Sequence, residues 1–318
     1  MLVIDLQTGT LIRELKTSSA PQFGGTVTYG LSTPGVYDIG GDQVDDLAVA
    51  GDLAGNVWRF DLQNSDPTQW KVDLLFKTYP SAATNGSTGT CTTAGQCPVS
   101  VMPVGMRNPA ARGIVWIFGT GKFLGKDDRS NAIPAQSFYG IYDLGTASAS
   151  YPILPANLQV QDMTEDAANP PNRYVTAAAV STPSGGAKGW TLPLDLTTEP
   201  GERNVVTPFA VDQNNTVVLP TLIPTSDDPC TPGRRGALIV LNAATGAGAS
   251  ISPAAGSPPA GYIQSGKVDT SGAIPSTGEL SPYTVIGGGA IGIAGINGFR
   301  ISDNYWYRAA WRELLDLL

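Results

Sequence analysis

The sequence contains no histidine among its 318 residues. Histidine is the commonest general base near neutral pH, and Ser-His-Asp and Cys-His sites require it, so these enzyme classes and histidine-ligated zinc are excluded. Charge is also scarce, at 14% of residues with a formal net charge of −8. An acidic chain is repelled by nucleic-acid phosphates. No apolar run approaches the roughly 20 residues of a membrane-spanning helix, and no basic and apolar signal peptide opens the chain.

Cysteine is rare as well, with three residues in the chain. Cys91 and Cys97 flank a short polar stretch, and this spacing predicts a disulfide in an oxidising compartment. Such a small ring removes little chain entropy, so the bond would shape the loop more than stabilise the fold. Two free thiols are the alternative. Cys230 is left over, either free or bonded to another part of the protein.

Glycine (38 residues) and proline (25 residues) are abundant. These residues occupy turns, so the composition favours many short strands over long helices. Strand-like alternation of apolar residues recurs along the chain, without interior helical periodicity, and predicts an all-β fold. The predicted strands are Leu2–Ile12, Asp46–Ala50, Val57–Leu62, Ile114–Gly119, Phe138–Leu144, Trp190–Leu196, Thr216–Pro224 and Ala237–Ala244.

Long connections rich in Gly, Pro, Ser and Thr are predicted at 80–98, 146–188, 225–235 and 247–282. The tail at 300–318 contains the best helix candidate, with Ser302 or Asp303 as its N-cap. We expect this helix to dock on the last structural unit; a partner-binding tail is the alternative.

An internal repeat of a turn signature indicates the architecture. Val3-Ile-Asp5 followed by Thr8-Gly9 is similar to Val240-Leu-Asn242 followed by Thr245-Gly246. Repeated short β units of this kind are typical of β-propellers, whose blades take ~40–50 residues each, so the chain would hold about four or five blades. We therefore predict a modified, incomplete β-propeller over 1–318, with a pair of β-sandwiches as the alternative. Because the chain begins within a hairpin, we expect it to be part of a longer protein.

One segment resembles a phosphate-binding loop but fits no known pattern. Gly119–Asp127 matches neither GxxxxGK[ST] nor GxGxxG, and we expect a strand followed by a glycine turn. The adjacent pairs Asp127-Asp128 and Asp227-Asp228 would point to opposite faces of a strand and make poor acid–base partners. Solvated turns are the expectation for both pairs.

The acidic loop at 38–46 offers oxygen ligands at a spacing that suits calcium. EF-hand loops place ligands at positions 1, 3, 5, 7 and 9, the seventh through a backbone carbonyl. With Asp38 at position 1, the ligands are Asp42, the Val44 carbonyl and Asp46. Several carboxylates converging on one point repel each other without a cation, which favours binding.

Two positions of this loop depart from that pattern. Gly40 stands at position 3 without a side-chain ligand, and Gln43 stands at position 6, where glycine is expected. Beyond the loop, position 12, which is usually glutamate, is Val49. A metal-free acidic turn is therefore the alternative to a calcium site, and Asp45 is a substitute ligand.

Several ordered segments resemble one known family. The chain is similar to the C-terminal β-propeller domain of the PilY/PilC-type adhesins and biogenesis factors at the tip of type IV pili, over roughly the later half of that domain. The resemblance rests on the acidic loop and on Ala50–Leu62, Trp70 with Leu74–Phe76, Cys97–Pro103, Phe118–Leu124 with Asp127, Ser137–Asp143, Gly189–Asp195 with Gly201–Arg203, and Trp311–Leu314.

The resemblance implies a non-enzymatic role in pilus biogenesis and adhesion. It implies minor pilins of the tip complex, a host or abiotic surface and the N-terminal remainder of the same protein as partners, and an extracellular position reached through the periplasm. Calcium at Asp38, Asp42, Val44 and Asp46 would be linked to pilus extension and retraction. Two alternatives stay open: a quinone-dependent dehydrogenase propeller, and a periplasmic scaffold or glycan-binding propeller.

Overall fold

We analysed a computed structural model of the chain. The structure describes residues 1–20, 30–79, 91–108, 113–145, 151–168, 171–177, 186–211, 215–224, 234–252, 257–269 and 300–301.

These residues form β-strands and four short 3-10 helices. The helices are Thr17–Ser19, Pro67–Gln69, Lys126–Arg129 and Pro155–Asn157. The strands are β1 (Leu2–Ile4), β2 (Leu11–Glu14), β3 (Gly35–Tyr37), β4 (Leu47–Gly51), β5 (Asn56–Asp61), β6 (Lys71–Lys77), β7 (Val104–Arg107), β8 (Ile114–Gly119), β9 (Gln136–Asp143), β10 (Gln159–Val160), β11 (Met163–Glu165), β12 (Asn172–Thr176), β13 (Gly189–Leu194), β14 (Phe209–Val211), β15 (Thr216–Pro220), β16 (Ile223–Pro224), β17 (Arg234–Asn242), β18 (Ile251–Ser252), β19 (Tyr262–Asp269) and β20 (Arg300–Ile301).

The strands of the described part form successive sheets. The β1–β2 hairpin comes first, followed by an antiparallel sheet in the order β3-β4-β5-β6. The next sheet has the order β10-β13-β9-β8-β7, in which β10 and β13 are parallel. A larger sheet follows in the order β11-β12-β19-β17-β15-β14, with β16 also pairing with β17, and β18 pairs with β20.

The sheets stack face to face, and this explains the nearly continuous apolar strands. All residues of β4 are buried. Ala48 and Ala50 pack into one core cluster, while Leu47 and Val49 pack into another on the opposite face. Since neighbouring strand residues point to opposite faces, a sheet packed on both sides needs apolar residues at every position.

The sheet containing β8 and β9 is also packed on both faces. Trp116 and Phe118 join the cluster shared with β4–β6, whereas Ile117 and Phe138 join a cluster shared with β15 and β17. At the first junction, the ring of Phe76 lies 5.9 Å from that of Phe118, between centroids. This serial stacking of sheets is the arrangement of a modified β-propeller.

The prediction of an all-β fold is confirmed, and each predicted strand overlaps an observed one. The repeated turn is confirmed too. The Asp5 and Asn242 side chains each accept backbone N–H groups two and three residues ahead. Gly9 and Gly246 follow with φ angles of 70° and 68°, a left-handed conformation that glycine adopts without strain.

Two of the predicted connections were wrong. The segment 146–188 contains β10, β11 and β12, and the segment 247–282 contains β18 and β19. β19 is a central strand, lying between β12 and β17. Polar residues conceal it in the sequence, because Gln264 and Ser265 are buried. Gly266 is required there, since a Cβ at this position would lie 2.4 Å from the Leu238 carbonyl oxygen.

The predicted C-terminal helix, Cys230, Asp227-Asp228 and most of the connections at 80–98 and 225–235 lie outside the described residues. Within the described part, no helix has the length and apolar character needed to cross a membrane.

Candidate functional site

The acidic loop connects β3 to β4 and is tied to the sheet at its end. The Asp46 N–H donates to the Tyr37 carbonyl (3.0 Å), and the Leu62 N–H donates to the Asp46 carbonyl (2.8 Å). Tyr37 ends β3 and Leu62 follows β5 directly. The sheet therefore fixes the closing residue of the loop from both sides.

The carboxylates of Asp38 and Asp46 fold the loop by accepting its own backbone N–H groups. Asp38 accepts from Gly41 (2.5 Å) and Gln43 (2.7 Å). Asp46 Oδ2 accepts from the backbone N–H groups of Ile39 (2.8 Å) and Gly40 (3.1 Å). Hydrogen bonds of this type order the backbone around the carboxylate that accepts them.

The middle of the loop turns sharply in the way that a calcium loop requires. Gln43, at the position where glycine is expected, has a φ of 71°. This left-handed conformation is uncommon for residues other than glycine. Asp42 Oδ1 accepts the Val44 N–H at 3.0 Å. The backbone thus adopts the turn even though glycine is replaced.

The side-chain ligands of the loop match the calcium-loop pattern less completely than its backbone turn does. A Cβ at Gly40 would lie 3.7 Å from Asp38 Oδ1 and 3.9 Å from Asp42 Oδ1, so a longer residue here would project between the two carboxylates. Partial burial, followed by the charges of Asp38 and Asp46, raises the pKa of Asp45. Among the residues that the structure describes, no three acidic or cysteine side chains are grouped closely enough to hold a metal ion. The carboxylates point at the amides of the loop rather than at one common point.

A buried ionic cluster lies beside this loop. Arg59 Nε donates to Asp143 Oδ2 at 2.9 Å, and both side chains are fully buried. Arg59 Nη2 also donates to the Gly145 carbonyl at 2.7 Å, while Trp116 Nε1 donates to Asp143 at 3.3 Å. A Cβ at Gly145 would lie 3.3 Å from Ile39 Cδ1, so the acidic loop rests on this junction. The cluster joins β5 to β9 and thereby links two neighbouring sheets.

The predicted disulfide between Cys91 and Cys97 is present. It holds a loop against the turn that joins β4 to β5. The Gly95 N–H donates to the Ala54 carbonyl at 2.9 Å, and Thr78 Oγ1 donates to the Cys97 carbonyl at 3.0 Å. The bond therefore shapes a loop that covers this turn, as the short ring predicts.

Asp52, which the sequence did not single out, organises that turn. Its carboxylate accepts from the Ala54 and Asn56 backbone N–H groups, from Asn56 Nδ2 and from Trp58 Nε1, each at 2.9 Å. Burial raises the pKa of Asp52 and outweighs these hydrogen bonds, which lower it. We call this arrangement the carboxylate clasp.

A second carboxylate clasp lies between β11 and β12. Asp166 accepts from the Ala168 and Asn172 N–H groups, from Asn172 Nδ2 and from the Tyr174 hydroxyl. Burial is the largest influence on the Asp166 pKa and raises it, but the hydrogen bonds from Asn172, Tyr174 and Ala168 together prevail and lower it to about 2. Both clasps share a sequence signal. It consists of an Asp, an Asn at the first position of the next strand, and an aromatic residue two positions after that Asn.

The glycine-rich segment after β8 is a turn, as predicted. Lys122 Nζ pairs with Asp128 Oδ1 at 2.7 Å, and Asp128 Oδ2 accepts the N–H groups of Leu124 and Gly125. Asp128 is buried, so the expectation of a solvated turn was wrong for this residue. The Asp128 carboxylate therefore closes the loop through an ion pair between two residues of the same segment.

Comparison with known proteins identifies the family. Residues 1–170 match the family described as the PilY1 beta-propeller domain. The chain belongs to this family. It is 33% identical over 281 residues to the type IV pilus biogenesis factor PilY1 of Pseudomonas aeruginosa (strain UCBPP-PA14), covering 77% of this chain and 24% of that protein. It is 29% identical over 292 residues to a PilY1 homolog of Xylella fastidiosa, covering 86% of this chain and 19% of that protein.

A solved structure of the family supports the fold. The crystal structure of the Pseudomonas aeruginosa PilY1 C-terminal domain superposes with a TM-score of 0.63 at 24% identity, over 84% of this chain and 59% of that chain. The chain spans 24% of the length of the Pseudomonas relative. The family and the propeller fold expected from the resemblance are therefore confirmed.

Proposed function

We propose that this chain is the C-terminal propeller part of a type IV pilus biogenesis factor that acts without catalysis. The observation that carries the proposal is its membership of the PilY1 propeller family, together with relatives named as pilus biogenesis factors. In this role the protein is exported through the periplasm to the pilus tip. Its partners are the minor pilins, the N-terminal remainder of the protein, and the host or abiotic surface that the pilus grips.

Deletion of the gene in its own bacterium tests this role. We expect loss of surface pili and of twitching movement, with both restored by the intact gene. A gene carrying Asp52→Ala is compared with the intact gene as a variant with a disturbed fold. This substitution disturbs the turn between β4 and β5 without touching the acidic loop. Normal piliation in the deletion strain would contradict the proposal.

The proposal includes one calcium ion at the acidic loop, held by Asp38, Asp42, the Val44 carbonyl and Asp46. Two observations support it: the left-handed turn at Gln43, and a loop with repelling carboxylates and no lysine or arginine. When bound, the ion supplies the positive charge that these carboxylates otherwise lack. Occupancy would then bias pilus extension against retraction.

Terbium luminescence and calorimetry test the metal site directly. We expect one site in the intact chain and none in Asp42→Ala. Asp5→Ala is the matched control, because Asp5 also caps a β-turn but lies in the β1–β2 hairpin. Metal binding that is equal in all three proteins would refute the ligand assignment while leaving the pilus role intact.

A further inference from the structure

The β1–β2 hairpin presents an apolar face to solvent. Leu2 and Ile4 alternate along β1 and therefore point to the same face. Leu11 joins them, because it is the direct cross-strand partner of Ile4. The three side chains are 59%, 47% and 57% exposed, in chain order. The pairing register thus brings three large apolar side chains together on one surface, which we call the hairpin face.

The hairpin face points away from the sheet that follows it. Val3 and Arg13 pair with each other and lie on the opposite face of the hairpin. Arg13 Nη2 donates to the Thr68 carbonyl at 3.4 Å, so this opposite face is turned toward the short helix that leads into β6. Leu15, directly after β2, is buried in one core cluster with Ala48 of β4. One face of the hairpin is therefore packed on the following sheet, and the hairpin face lies on the other side.

The hairpin has the apolar pattern of strands that are packed on both faces. Leu2–Ile4 and Leu11-Ile12 are uninterrupted apolar runs. β4 and β8 carry similar runs and are buried at every position, because a packed layer lies against each of their faces. The hairpin carries this pattern while its outer face is exposed. A second apolar surface is therefore expected against the hairpin face.

The layer that contains the hairpin covers only part of the next sheet. The contact between Arg13 and Thr68 places β2 near the β6 edge of that sheet. At the opposite edge, Val36 of β3 lies on the same face as its pairing partner Ala48, yet Val36 is 52% exposed whereas Ala48 is buried. Within the described residues, β1 pairs with β2 alone. Strands added beside β1 would cover Val36, so β-structure fits this region.

The charges of the hairpin segment 2–16 are balanced. Its acidic residues are Asp5 and Glu14, and its basic residues are Arg13 and Lys16. Glu14 pairs with Lys16 at 3.3 Å, and Asp5 accepts N–H groups of the hairpin turn. Because no charge of either sign is in excess, the hairpin face favours an apolar occupant over a strongly basic or acidic one.

We propose that the hairpin face docks an apolar β-sheet of the N-terminal remainder of this protein. The inference rests on the proposed function, in which that remainder is a partner, and it names the surface that the partner covers. The chain covers 59% of the solved C-terminal domain and 24% of the Pseudomonas relative, so those proteins contain further chain that can supply such a sheet. Burial of Leu2, Ile4 and Leu11 supplies the binding free energy. A sheet of the same protein also avoids most of the entropic cost that a separate partner incurs on binding.

Thiol labelling and photo-crosslinking of the full-length protein test the proposal. Leu11→Cys is compared with Leu6→Cys, which is the matched control because Leu6 is 99% exposed on the β1–β2 turn. The reaction of the unsubstituted protein is subtracted. We expect a maleimide to label Leu11→Cys about tenfold or more slowly than the control, since docking has to open before the thiol reacts. A photoreactive benzoylphenylalanine in place of Leu11 should crosslink, within one molecule, to a peptide outside residues 1–318.

Three outcomes would overturn the proposal. Equal labelling rates would show that the hairpin face is exposed in the full-length protein. A crosslink between two molecules would assign the face to a second copy, and a crosslink within residues 1–318 would assign it to another segment of this chain. Leu2→Cys repeats the test on the same face if Leu11→Cys does not fold. Since pilus assembly is measured in the deletion strain, each of these outcomes leaves the pilus role intact.

Discussion

The two carboxylate clasps allow a matched test of how burial changes the contribution of a hydrogen bond to the free energy of unfolding. Asp52 and Asp166 each accept from two backbone N–H groups, one asparagine amide and one aromatic side chain. Asp52 is only 1% exposed, whereas Asp166 is half-buried. The perturbation is Asp→Ala at each position.

The expected cost follows from the donors left behind. A buried donor without a partner costs about 1 kcal/mol or more, so four orphaned donors cost about 4 kcal/mol in Asp52→Ala. Burial of the Asp52 carboxylate is itself unfavourable, since it raises the pKa, and this reduces the net loss to about 3 kcal/mol. Around Asp166, water replaces part of the lost acceptor, so Asp166→Ala should cost about 1 kcal/mol.

Urea unfolding followed by tryptophan fluorescence measures both costs, because Trp58 lies inside the first clasp. The slope of the unfolding free energy against urea concentration should be equal for the two variants. The midpoint urea concentrations then report stability rather than a change in the unfolded state. Equal destabilisation by the two substitutions would refute the reasoning from burial. A smaller loss in Asp52→Ala than in Asp166→Ala would show that the charge, rather than the hydrogen bonds, dominates this site.

Three further predictions concern stability. Gly140→Ala should destabilise the fold by about 3 kcal/mol, because its Cβ would lie 2.2 Å from buried Trp190; Gly125→Ala, with nothing within 4 Å, should stay near the wild type in urea unfolding. Cys97→Ser should cost about 2 kcal/mol, at the low end for a disulfide because the ring is small; dithiothreitol treatment of the wild type should match this loss and not add to it. Because its pKa is lowered to about 2, Asp166 contributes stability that is present above its unfolded pKa near 4. We expect this contribution to be lost as pH falls from about 4 to about 2, and absent in Asp166→Asn by calorimetry.

Local patterns were enough for part of the fold. β8 was predicted with its observed bounds, Ile114–Gly119, because an apolar run between glycine turns is a sufficient signal for a buried strand. The disulfide was predicted from two cysteines separated by a short polar stretch. The repeated Asp/Asn-x-x-Thr-Gly turn was readable because its hydrogen bonds connect neighbours in sequence.

Other features depend on contacts between distant residues. β12 was missed because Arg173 interrupts its apolar pattern, yet this arginine is buried and pairs with Glu165 and Glu202 at 3.3 Å. β19 was missed for the same reason, with Gln264 Nε2 donating to Asn172 Oδ1 across the sheet. A polar residue reads as exposed until its partner from another strand is known.

The acidic loop shows where the two kinds of information divide. Its sequence determined the charge, the ligand spacing and the two departures at Gly40 and Gln43, since these depend only on which residues are neighbours. The tertiary structure decided that Gln43 takes the left-handed turn, that the Asp38 and Asp46 carboxylates point at loop amides, and that Ile39 meets Gly145. Backbone direction and contacts between sheets arise from packing of segments far apart in the chain, so no local pattern encodes them.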